Sequence, residues 1–180
     1  MNTSTQTKLA VYFALCCTLG IAAATITNYL PSTDGDWSNP INWIGDVAPA
    51  DGDSVVLHIM PGATAPTNID IANLTLATLA FSNDPAASTC IVGQPFSVSN
   101  IVCLNSAVPV VTNRIAQDIR FTGPTSWSLD KNNVLILEGA LSADDPNYRL
   151  TGTTGANSDL RNSLVVLKNT NTFAGGIGAN

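Results

Sequence analysis

Apolar and polar residues alternate with a period of two in several parts of the chain. Val55, Leu57 and Ile59 are separated by single residues, Val56 and His58. A two-residue period places every second side chain on the same face of an extended strand. The segment therefore predicts a half-buried β-strand in which His58 points away from the face that carries its apolar neighbours.

The alternation recurs between residues 114 and 121, where Ile115, Ile119 and Phe121 alternate with charged residues. Other segments are apolar on both faces or change phase midway, which indicates strands that are covered on both sides or that bend at a corner. These segments are residues 74–81, 96–104, 134–137 and 164–167.

Turn-forming residues separate the predicted strands. Gly, Asn, Asp and Pro cluster at residues 61–62, 83–85, 123–124, 130–133 and 144–147. These residues favour the backbone conformations of tight turns. No helical pattern of a dozen residues follows Ala24, so the predicted class is all-β. On the pattern alone, a solenoid and a β-sandwich both stay open.

The segment 1–24 is typical of a secretory signal peptide. Lys8 precedes an apolar run from Leu9 to Ala24, which ends in small residues at Ala22 and Ala24. This run is shorter than the roughly 20 residues that a membrane-spanning helix needs. We therefore expect cleavage after Ala24, export to the cell surface or medium, and contact with a membrane only during export.

Cleavage of this leader would remove Cys16 and Cys17 and leave Cys90 and Cys103. An even number of cysteines in an oxidising compartment favours a disulfide, here between Cys90 and Cys103. Two separate buried thiols are the alternative. No Cys/His cluster suggests a metal, and no cofactor is expected.

Composition narrows the functional classes further. The 180 residues carry 7 Lys+Arg and 13 Asp+Glu, a net charge of −6, without a basic cluster. Nucleic-acid binding depends on basic side chains that neutralise phosphates, so a nucleic-acid partner is not expected.

Two motifs resemble a known family. Residues 36–43 read DWSNPINW and residues 47–57 read VAPADGDSVVL, and residues 163–176 read SLVVLKNTNTFAGG. They resemble the opening and the repeat of proteins with autotransporter-associated β-strand repeats. The resemblance implies a right-handed parallel β-helix with an N-terminal cap, similar to the first part of an autotransporter-type or PEP-CTERM-like secreted passenger. The expected organisation is a signal peptide (1–24), a cap segment (25–53) and a β-helix (54–180).

Trp37 and Trp43 are the candidate ligand-binding residues. Exposed indole rings in a polar setting can stack on sugars. The alternative is that both rings close the end of the β-helix core, while Trp127 is expected to be a core residue.

Other polar residues have an alternative interpretation as turns. The carboxylates of Asp34-Gly35-Asp36 and Asp51-Gly52-Asp53 could ligate calcium, and Asp144-Asp145 could act as an acid/base pair. Turn chemistry explains each of them, so no metal or catalytic residue is predicted. Asn residues that flank strands either stack along a β-helix or occupy turns; they are Asn68, Asn73, Asn100, Asn105, Asn132 and Asn133.

The expected function is therefore non-enzymatic, with a structural or adhesive role. The expected partners are glycans or other surface proteins. An open β-helix end exposes an unpaired strand edge, so we also expect either further coils or stacking on another molecule through that end. A carbohydrate-active β-helix enzyme of the pectin lyase or hydrolase type and a carbohydrate-binding β-domain are the alternatives.

Overall fold

The computed structural model describes residues 23–28, 32–83, 87–104, 110–145, 150–154, 163–169 and 177–179, with the backbone alone for 124–126, 150–154 and 177–179. Apart from Ala23 and Ala24, the predicted leader lies outside the described residues, as do residues 170–176 of the repeat motif.

Strands, joined by turns and bends, are the main secondary structure of the described residues. A single 3-10 turn, Pro40–Asn42, interrupts them near the N-terminal end. The strands are β1 (Thr25–Thr27), β2 (Ser54–Ile59), β3 (Asn68–Ile69), β4 (Thr75–Asn83), β5 (Thr89–Gly93), β6 (Phe96–Leu104), β7 (Val111–Ile115), β8 (Ile119–Leu129), β9 (Asn133–Leu137), β10 (Leu141–Ala143), β11 (Leu150–Thr154), β12 (Leu164–Leu167) and β13 (Ile177–Ala179).

The strands form two parallel sheets, and the chain passes from one to the other as it coils. The larger sheet has the order β1-β2-β4-β6-β8-β11-β13, with β10 beside the first half of β8, and the smaller has the order β12-β9-β7-β5-β3. Ser54 lies opposite Thr78, and Thr75 lies opposite Ser97, so each partner belongs to the next coil along the chain. The all-β parallel β-helix is thus confirmed. The β-sandwich alternative is wrong, because a sandwich is built from antiparallel strands.

Side chains that face inwards stack in register from coil to coil. One row places Leu57 beside Phe81, which in turn lies beside Cys103 and then Leu129. All four are buried, and burial of a large apolar side chain contributes roughly 1.5 to 3 kcal/mol. A neighbouring row places Trp127 beside Ile101; Trp127 is 5% exposed and so lies in the core as predicted. The side chain of His58 points outwards between buried residues, also as predicted.

Close packing at the corners requires glycine. A Cβ atom on Gly139 would lie 2.1 Å from the carbonyl oxygen of Gln117 in the preceding coil. Gly93 has φ +109°, and a Cβ there would lie 2.3 Å from the carbonyl oxygen of Ile69. Main chains of successive coils therefore touch where a larger residue would separate them.

The disulfide predicted between Cys90 and Cys103 is absent from the structure, in which both thiols are free. Cys90 belongs to the smaller sheet and lies in register with the exposed Arg114, on the outer face. Cys103 belongs to the larger sheet and faces the core. The two side chains therefore lie on different sheets and point in different directions, which a disulfide cannot bridge without backbone movement.

Candidate functional site

Trp37 and Trp43 lie at the N-terminal end of the solenoid, and both are 0% exposed. Their ring centroids are 5.5 Å apart at an interplanar angle of 84°, an edge-to-face contact. Trp37 Nε1 donates to the carbonyl of Pro66 at 3.2 Å. Neither ring presents a face on which a sugar could stack, and the burial fits the cap alternative.

Polar residues around the two rings hold the cap segment in place. Asn42 is fully buried; its Oδ1 accepts from the amide and the hydroxyl of Thr33, both at 2.9 Å, and its Nδ2 donates to Asp34 Oδ1 at 2.6 Å. Asn39 Nδ2 donates to Asp34 Oδ2 at 2.8 Å. Hydrogen bonds from Asn42, Asn39 and the amide of Asp36 hold the pKa of Asp34 below its ordinary value. The polar residues of DWSNPINW thus hold the turn together around the buried rings.

The strongest candidate for a binding surface lies elsewhere, on the outer face of the larger sheet. Thr75, Ser97, Arg120 and Ser142 occupy successive coils in direct register and point away from the core. Together with Asn73, Pro95, Phe96, Asp118 and Ile119 they line an open groove of about 300 Å³. We call this surface the hydroxyl groove, after Thr75, Ser97 and Ser142.

The hydroxyl groove combines polar walls with a fixed floor. Phe96 and Ile119 are buried beneath it and anchor its strands in the core. Asp118 Oδ1 accepts from the amide of Ala140 in the next coil at 2.7 Å, which fixes that carboxylate at the groove edge. Arg120 forms an ion pair with Asp144, yet its side chain is 63% exposed. Its guanidinium therefore retains donors that face solvent.

The outer face of the smaller sheet carries a ladder of charges. Glu138 receives two hydrogen bonds from Arg114, at 2.8 and 2.9 Å, and one from Lys168 at 2.8 Å. The three residues lie on three successive coils. Hydrogen bonds from Lys168 and then Arg114 hold the pKa of Glu138 below its ordinary value of 4.5. Each charge has an opposite neighbour, so we interpret the ladder as a link between coils.

The acidic pairs accept hydrogen bonds from the chain itself. Asp51 Oδ1 accepts from the amide of Thr75 at 2.9 Å, and Asp36 Oδ1 accepts from Asn68 Nδ2 at 2.6 Å. Asp144 is paired with Arg120, and Asp145 is exposed in the adjacent bend. Among the described residues, no group of three or more His, Cys, Asp or Glu side chains is placed to hold a metal ion.

The Asn residues show the predicted turn role and a cross-coil role that differs from the predicted stacking of amides. Asn73 and Asn132 have positive φ, at 58° and 61°, which is the turn conformation that Asn tolerates. Asn68 reaches across to Asp36 in the preceding coil. Asn105 lies outside the described residues. Turn and cross-coil roles therefore occur side by side.

The hydroxyl groove is not among the sites that the sequence pattern predicts. Its four row residues are spaced 22, 23 and 22 positions apart, as the numbers 75, 97, 120 and 142 show. The signal was this near-constant spacing of polar residues. It has meaning only once the length of a coil is known, because successive coils differ slightly in length.

Comparison with known proteins gives no match, whether to family models, to curated proteins or to solved structures. In the part of the chain that is described, no helix is long and apolar enough to cross a membrane.

Proposed function

We propose that the protein is an exported, non-enzymatic β-solenoid with a structural or adhesive role at the cell surface or in the medium, similar in kind to an autotransporter passenger. Three features support this proposal: the leader-like segment 1–24, the DWSNPINW and SLVVLKNTNTFAGG motifs, and the parallel solenoid fold. A solenoid suits such a role because stacked coils extend a regular surface in one direction.

The hydroxyl groove is the observation that carries the adhesive part of the proposal. Neighbouring strands are spaced about 4.8 Å apart. The row of Thr75, Ser97, Arg120 and Ser142 therefore presents polar groups at a regular interval across four coils. Each hydroxyl can both donate and accept a hydrogen bond, and Arg120 supplies further donors. A chain of hydroxyl-bearing units, such as a glycan, matches this alternation of donors and acceptors better than an apolar ligand does.

Binding to a printed panel of neutral and acidic oligosaccharides tests the adhesive role. We expect the fluorescently labelled full chain to bind a subset of the panel. Thr75→Ala, Ser97→Ala and Arg120→Gln should each lower that binding at least about threefold, because each removes hydrogen bonds worth roughly 0.5 to 1.5 kcal/mol.

Thr112→Ala is the matched control, because Thr112 is a half-buried strand threonine on the outer face of the smaller sheet. It should bind as the unaltered chain does. Equal loss in Thr75→Ala and Thr112→Ala would contradict the assignment of the groove. Hydrolysis or elimination of a panel sugar by the chain would contradict the non-enzymatic role.

A further inference from the structure

Asp53 is a buried carboxylate at the point where the chain enters the solenoid. Asp53 is only 3% exposed. Oδ1 accepts from the main-chain nitrogen of Ala24 at 2.7 Å, and Oδ2 accepts from the amide of Ala50 at 2.9 Å. No Lys, Arg or His side chain of the described residues forms an ion pair with it. A buried charge is costly without a countercharge. A positive charge on one of the two nitrogens that donate to Asp53 would therefore stabilise the fold.

Ala24 is also part of the sheet. Its carbonyl accepts from the amide of Ser54 at 2.8 Å, immediately before β1 and β2 pair at Thr25 and Ser54. Cleavage after Ala24, as the leader pattern alone predicts, would remove this acceptor and the donor to Asp53 together. Residues 22–24 are all alanine, so the bonds after Ala22, Ala23 and Ala24 each have a small residue immediately before them. A cut after Ala23 differs from a cut after Ala24 in having Ile21, and not Ala22, two residues further back.

We propose that the leader is removed at the bond between Ala23 and Ala24, and that the new α-ammonium of Ala24 forms an ion pair with Asp53. This inference rests on the proposed export. The geometry already places the nitrogen of Ala24 at hydrogen-bond distance from the carboxylate, so the ion pair requires no movement of the strand. Ala23 and Ala24 are both exposed, which leaves this bond accessible.

The reaction is hydrolysis by an export-pathway peptidase. Water supplies the hydroxyl that bonds to the carbonyl carbon of Ala23 and the hydrogen that bonds to the nitrogen of Ala24 as the C–N bond breaks. The resulting acid loses its proton to the freed amine, so Ala23 leaves as a carboxylate and Ala24 gains a charged –NH₃⁺ group. One of its three N–H groups faces Asp53, and the others are open to water. Processing thereby replaces a neutral donor to the buried carboxylate by a charged one.

The first test determines the N-terminal residue of the protein recovered from the medium or surface of an exporting bacterial host, by intact mass and N-terminal sequencing. We expect a chain that begins at Ala24. A chain that is exported and begins at Ala23 or Thr25 overturns the inference and leaves the proposed export standing. A chain that stays in the cell with its leader overturns both.

The second test measures the ion pair itself. Asp53→Asn keeps the shape of the side chain and removes its charge. Urea unfolding should show that this change raises the unfolding equilibrium constant at least about tenfold more in the exported chain than in the full-length precursor made without export. Asp51→Asn is the control, because Asp51 faces the amide of Thr75 and should act equally in both forms. An equal effect of Asp53→Asn in the two forms would refute the ion pair.

Discussion

Trp43 Nε1 donates a hydrogen bond of 2.8 Å to the main-chain carbonyl of Trp37, and the two rings pack edge to face in the core. The segment from Trp37 to Trp43 therefore forms one turn, which brings the second tryptophan back against the first. The 3-10 turn Pro40–Asn42 lies within that span, and Asn39 caps it by accepting from the amide of Ile41. Both rings therefore pack in the core at the N-terminal end of the solenoid.

Loss of either ring should destabilise the protein. Trp37→Ala should lower the free energy of unfolding by about 3 to 5 kcal/mol, the usual cost of emptying a buried aromatic site. Trp43→Phe keeps a ring but leaves the carbonyl of Trp37 without its donor, and should cost about 1 to 3 kcal/mol. Urea unfolding followed by circular dichroism measures both.

Ile41→Ala is the control for these variants, because Ile41 lies in the same turn but is 59% exposed. Its effect should stay within about 0.5 kcal/mol. If Trp37→Ala instead unfolded like the unaltered chain while losing oligosaccharide binding, the cap role would be wrong and the ligand-binding hypothesis would replace it.

The two described thiols should differ in reactivity. Burial raises the pKa of Cys103 to about 12, so at pH 8 only about one thiol in 10⁴ is ionised. Cys90 is partly exposed on the outer face. Iodoacetamide should therefore label Cys90 in the native chain and Cys103 only after unfolding, as peptide mapping by mass spectrometry would show.

Cys90→Ser provides the check on this labelling, because the native variant should lose the modified peptide that spans residue 90. A native protein in which neither thiol reacts, and whose mass rises by two hydrogens on reduction, would restore the disulfide between Cys90 and Cys103.

Glu138 should contribute stability that depends on pH and salt. Its folded pKa lies below the ordinary 4.5, so the contribution is present above that pH and is lost as the pH falls through the folded pKa. Glu138→Gln should remove this part of the acid destabilisation. Thermal unfolding from pH 7 to pH 3, at low and high salt, would show a smaller pH dependence in the variant.

A double-mutant cycle separates the ladder from general charge effects. Arg114→Gln and Glu138→Gln should together cost less than the sum of their separate effects, because each single change already breaks the same pair. Strict additivity at low salt would show that the two side chains do not interact in solution.

The corner glycines should be far less tolerant than glycines in open turns. Gly139→Ala places a Cβ against the main chain of Gln117, and should cost about 1 to 3 kcal/mol or more. Gly35→Ala is the matched control, since its nearest neighbour would be Asn68 Cβ at 3.8 Å. Denaturant titration of the two variants measures the difference, and equal midpoints would contradict the close approach of the coils.

Much of the fold could be predicted because the strand signal is local. The period-two pattern at Val55, Leu57 and Ile59 defines which side chains are inside, and β2 has this pattern of burial. The change of phase in the apolar pattern of residues 96–104 also has a structural cause, because the register between β6 and β8 shifts between Val98 and Asn100. Local alternation, however, cannot show whether strands pair parallel or antiparallel.

The pairings across coils were not predictable, because they join residues that are far apart in the sequence. Asn83 lies in a sequence typical of a turn, yet it is 4% exposed and its Nδ2 donates to Asn113 Oδ1 at 2.6 Å in the interior. Cys103 falls in an apolar segment whose orientation depends on the register of β6 with β8. The candidate site depends on the same information, since four separate polar residues become one groove only through that register.

The side-chain links between coils described above are of nearest-neighbour type. Asp51 reaches Thr75, Asp118 reaches Ala140, and Glu138 joins the coil before it and the coil after it. Tension applied at one end of such a structure would detach the terminal coil first. The remaining coils would keep their contacts with one another, because each coil is linked only to its neighbours. A complete coil inserted between two others would likewise renew both junctions, so the length of this architecture can change without redesign of its ends.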